Sequence, residues 1–103
     1  MLTAQEVLNL LINMKLIASG QKDVTTAGTA QILIDTTTET KSIVIKAKSG
    51  NSGNIYIGKS DVNNNAGFIG PGENIALDVN NAKEPIYIDA DISGNGVCFW
   101  ALN

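Results

Sequence analysis

The chain has 103 residues, of which 44% are hydrophobic and 17% charged. This fits one domain with a small core and a surface kept soluble by Asn, Thr, Ser and Gly more than by charge. The net charge is −3, every basic residue is a lysine and there is no histidine. That argues against guanidinium readout of nucleic acid and excludes a His-based catalytic triad or zinc site.

Thr3-Ala4-Gln5-Glu6 has the form of a capping box. The spacing after it predicts a helix over residues 3–19. Its apolar residues include Val7, Leu10, Leu11, Met14 and Ile17, and they cover most of the helical circumference. Such a helix needs cover on two sides: either it packs wholly on its own sandwich, or one side packs there and the other meets a partner. Glu6 precedes the apolar run, and Asn9, Asn13 and Lys15 interrupt it. Neither a signal peptide nor a membrane span is expected from that pattern. Gly20 reads as the helix stop and residues 21–23 as a linker. The expected division is a helical arm at 1–20 and a β-domain at 24–103.

Strand signals then follow at short intervals: 30–36, 41–49, 54–58, a short piece at 68–69, 73–79, 85–91 and 97–102. Turns are expected at Gly50-Asn51-Ser52-Gly53, Gly70-Pro71-Gly72, Asn80-Asn81-Ala82-Lys83 and Ser93-Gly94-Asn95-Gly96. Alternation puts Ile43, Ile45, Ala47, Ile55, Ile57, Ile75, Leu77, Ile86, Ile88 and Ala90 inward. Lys41, Lys46 and Lys48 read as a solvated face. The fold class is all-β: an antiparallel sandwich, jelly-roll-like, of six to eight short strands behind one N-terminal helix. The last strand is apolar on both faces, with Val97, Phe99 and Ala101 on one and Cys98, Trp100 and Leu102 on the other. The second face needs cover from the helix or a neighbouring subunit. Val7, Leu10, Leu11, Met14, Ile17, Cys98, Trp100 and Leu102 are therefore the candidate assembly interface.

Chemistry is sparse. Cys98 lies in a core-like run and has no His to activate it. Asp89 and Asp91 project from one strand face, as acid–base partners or calcium ligands would, and the Asp61 loop is rich in Asn. The plainer reading is a pair of exposed carboxylates guarding an edge strand. No catalytic residue, cofactor or required metal is expected. Tyr56, Tyr87 and Trp100 could together form a stacking platform for a glycan, or serve only in cross-strand packing.

The segments Val24-Thr25-Thr26-Ala27-Gly28-Thr29, Lys41–Lys48, Gly53-Asn54-Ile55-Tyr56-Ile57-Gly58, Gly70-Pro71-Gly72-Glu73 and Ile86-Tyr87-Ile88-Asp89-Ala90, in this order, resemble the small β-sandwich virion proteins of tailed bacteriophages and related viruses. Those proteins serve as head decoration, head fibre or tail components. The resemblance spans about residues 24–102 and its motifs are structural. It implies a homo-oligomer, a trimer by preference, bound to a capsid or tail protein on the virion after synthesis in the host cytoplasm. It implies no catalytic residues; the absence of Arg and the polar interruptions of the N-terminal run separately lead to the expectation of no nucleic-acid partner and no membrane insertion. The alternative function is a carbohydrate-binding module for a cell-surface glycan.

Overall fold

The structure, a computed structural model, describes residues 3–5, 16–34, 40–79 and 85–102. Ala4 and Gln5 are helical. Of the expected helix, residues 6–15, with Val7, Leu10, Leu11 and Met14, lie outside the described residues.

The described residues form eight strands: β1 (Leu16–Asp23), β2 (Gln31–Ile34), β3 (Ser42–Ala47), β4 (Ile55–Gly58), β5 (Phe68–Ile69), β6 (Asn74–Asp78), β7 (Ile86–Ala90) and β8 (Gly96–Leu102). They form two antiparallel four-stranded sheets, ordered β1-β8-β3-β6 and β2-β7-β4-β5. Alternation sends one side of each strand into a shared core. Ile43, Ile45 and Val97 enter it from the first sheet, and Leu33, Ile55 and Ile88 from the second. The expected inward set is confirmed, although Ile57, Ile75, Leu77 and Ile86 are only half-buried.

The start of the β-region corrects the sequence reading. Residues 16–20 are strand and not helix, Gly20 stops nothing, and the supposed linker 21–23 completes β1. The boundary drawn between arm and β-domain thus falls inside β1. The physical reason lies in β8. A seven-residue strand paired along one edge alone leaves a row of backbone N–H and C=O groups without partners, and a neighbour on its second edge satisfies them. β3 pairs with one edge of β8 and β1 with the other, Ser19 opposite Trp100 and Gly20 opposite Phe99. A side chain at Gly20 would meet the Phe99 ring at 3.3 Å, so the glycine makes room for an aromatic neighbour. Ile17 sits in a register shift between Leu16 and Ala18.

Side-chain amides link the turn after β3 to the turn before β8. Asn51 exchanges two hydrogen bonds with the Gly96 backbone, at 2.9 and 3.0 Å. Asn95 Oδ1 accepts from the Ser52 and Gly53 amides. These bonds tie the first sheet to the loop that enters β4, close to the residues described next.

Candidate functional site

The outer faces of the two sheets differ. On the first, rows of paired residues run across the strands: Leu16, Leu102 and Ser42, then Ser19, Trp100, Val44 and Ala76, then Gln21, Cys98, Lys46 and Asn74. Leu16 and Trp100 are exposed, while Val44, Cys98 and Leu102 are half-buried. The fold therefore brings Cys98, Trp100 and Leu102 of the expected interface onto one surface, while Ile17 falls in the register shift of β1 with no partner on β8.

On the second sheet the outward residues are polar and mostly covered. Asp89 is on β7, opposite Tyr56 on β4. β7 lies between β2 and β4, so it is a central strand and not the edge expected from sequence. Asp89 is only 3% exposed, which corrects its reading as a solvent-facing carboxylate. Its Oδ1 accepts from the Ala90 amide at 2.8 Å and the Gly28 amide at 2.9 Å. Gly28 belongs to a turn closed by a bond from the Thr29 amide to the Thr26 carbonyl, and has φ +89°. That conformation favours glycine, and the turn presents the Gly28 N–H to the buried carboxylate.

Asp91, just beyond β7, uses both oxygens. Oδ1 accepts from the Tyr56 hydroxyl at 2.6 Å and Oδ2 from the Asn54 amide at 3.1 Å. Tyr56 points outward as expected, yet it is 7% exposed, because Asp91 engages its hydroxyl and Phe68 meets its ring edge-on at 6.2 Å. The hydrogen bond to Asp91, helped by burial and by the Asp91 charge, raises the Tyr56 phenol above its ordinary pKa.

A polar cavity of about 340 Å³ opens over this pair, lined by Ala27, Gly28, Tyr56, Asn63, Asn64, Asp89, Ala90 and Asp91. The Asn-rich loop closes one side. Its own bonds shape it: the Asn65 amide donates to Asn63 Oδ1, and the Ala66 amide to the Asn63 carbonyl. Buried Val62 anchors it. Sequence reasoning noted the two aspartates and the Asn-rich loop, and here they line one cavity. It missed Gly28 and the covering turn, for which a Gly flanked by Ala and Thr carries no specific signal.

The three aromatics do not form one platform. Tyr56 and Tyr87 share the outer face of the second sheet, whereas Trp100 is on the outer face of the first. A second cavity, of about 320 Å³, is apolar and lies between the sheets, among Ile57, Phe68, Ile75, Leu77 and Ile86. Among the described residues no cluster of three His, Cys, Asp or Glu could hold a metal, and no helix is long and apolar enough to cross a membrane. No family model, curated protein or solved structure matches the chain.

Proposed function

We propose that this chain is a non-enzymatic structural protein of a virus particle, a capsid decoration, head fibre or tail component that works as a surface-bound homo-oligomer, a trimer by preference. The apolar outer face of the first sheet carries the reading. Trp100, Leu102, Leu16 and Val44 are adjacent there, and apolar patches of this kind on small domains serve as contact surfaces. The strand order supports it too. The winding β1-β8-β3-β6 against β2-β7-β4-β5 is that of a jelly roll, an architecture shared by viral capsid and lectin domains. Its partners are copies of itself and a capsid or tail protein, and its place is the virion. The carboxylates speak against catalysis: Asp91 and one oxygen of Asp89 are occupied by donors of the chain's own backbone and Tyr56.

Light scattering on the purified protein tests self-association, with Trp100→Glu as the perturbation. The wild type is expected to run as an oligomer across micromolar concentrations, and the variant as a folded, smaller species. A monodisperse wild-type monomer would remove self-association from this reading.

A further inference from the structure

We propose that the polar cavity over Tyr56 and Asp89 binds a neutral saccharide. The inference is independent of the particle reading and uses a site different from a Tyr–Trp stacking platform.

The starting point is Asp89. A carboxylate that is 3% exposed is costly unless its oxygens are engaged. Oδ1 holds two backbone amides, while Oδ2 takes no hydrogen bond from the described residues. The side chain lines the cavity, so the one open acceptor of a buried, rigidly held carboxylate is available to a donor from outside. The two bonds to Oδ1 fix where that acceptor lies before any ligand arrives, which lowers the ordering cost of binding.

The surroundings select the chemistry of the donor. Two carboxylates and no lysine line the cavity, so an anion is repelled. Calcium needs six to eight oxygens. Here Asp89 Oδ1 is filled by two amides, and among the described residues no group of three His, Cys, Asp or Glu side chains could hold a metal, so the lining is a poor cation shell. A sugar hydroxyl needs only one acceptor, and a vicinal hydroxyl or ring oxygen can take an N–H from the Asn64 amide. The volume, about 340 Å³, lies at the lower end of small-ligand pockets and far exceeds the roughly 30 Å³ of one water.

The test is an amide NMR titration of the full chain with D-galactose, D-glucose, D-mannose and N-acetyl-D-glucosamine, and separately with N-acetylneuraminate and calcium chloride. At least one neutral sugar is expected to cause saturable shifts at the Gly28, Asn64 and Ala90 amides, and N-acetylneuraminate none. Asp89→Asn keeps an acceptor for the two backbone amides but puts an NH2 in place of one oxygen. It should weaken binding about tenfold, and Asn64→Ala, at an exposed loop position, about threefold. The same spectra report whether each variant is folded. Absence of shifts with all four neutral sugars overturns the proposal. So does unchanged binding in a folded Asn64→Ala together with a folded Asp89→Asn. Shifts at these amides with calcium chloride alone, or with N-acetylneuraminate, would reassign the site to a cation or an anion.

Discussion

The two outer faces follow the same alternating pattern and reach opposite outcomes. On the first sheet, Trp100 stands 38% exposed amid Val44 and Leu102. On the second, the corresponding positions hold Tyr56 and Asp89, more deeply buried than Trp100 although both carry polar groups. The difference comes from the loops. The turn at 26–29 and the Asn-rich loop fold over the second sheet, and the Gly28 amide of that turn donates to Asp89. The first sheet, among the described residues, keeps its apolar side chains accessible. Outward in a strand therefore says which sheet face a residue occupies, while loops decide whether it meets water.

The largest expected effect checks what the two sheets share. Ile45→Ala and Ile88→Ala each empty a fully buried site, one from each sheet. Each should cost about 2–5 kcal/mol in denaturant unfolding. Similar losses in one cooperative transition mean a single core, and a transition that separates into two for either variant would break that view.

The polar face is probed next by Asp89→Ala. Removing the carboxylate strands the Gly28 and Ala90 amides, at about 1–3 kcal/mol for each donor left without a partner. Asp89→Asn retains an acceptor and should recover most of that loss. If the two variants are equally destabilised, charge and not hydrogen bonding holds the covering turn.

The smallest effect belongs to Tyr56. Folding raises its phenol pKa through the Asp91 bond. The resulting stabilisation is complete below the unfolded value of about 10 and disappears as pH climbs through the higher folded value. Tyr56→Phe should be less stable than wild type at neutral pH, with the gap closing only on the alkaline side of 10. A gap that is constant with pH would mean the Asp91 bond contributes nothing to stability.

Seven of the eight strands were legible, β3, β4, β6 and β7 as period-two alternation and β2, β5 and β8 as short apolar runs, each set off by turn residues. β1 was not. Leu16, Ile17 and Ala18 continue the apolar spacing of the preceding segment, and Gly20 imitates a helix stop. Only the need of β8 for a second neighbour turns these residues into a strand, and that need comes from the far end of the described chain. The site was half legible. The shared face of Asp89 and Asp91 follows from strand geometry, but the burial of Asp89 depends on a turn sixty-one residues away in sequence.

The strand order also sets a timetable. Among the described strands β1 pairs only with β8, and β2 only with β7. Until the seventh and eighth strands exist, the described strands can complete just two of these pairings, β3 with β6 and β4 with β5. The first two strands must then wait with their edges open, and open edges invite pairing with other chains. Non-local pairing of this kind places folding in the slow, millisecond-to-second range of all-β domains. A nascent chain halted before Gly96 would lack the strand that joins β1 to β3, and its natural fate is association with its neighbours on the polysome.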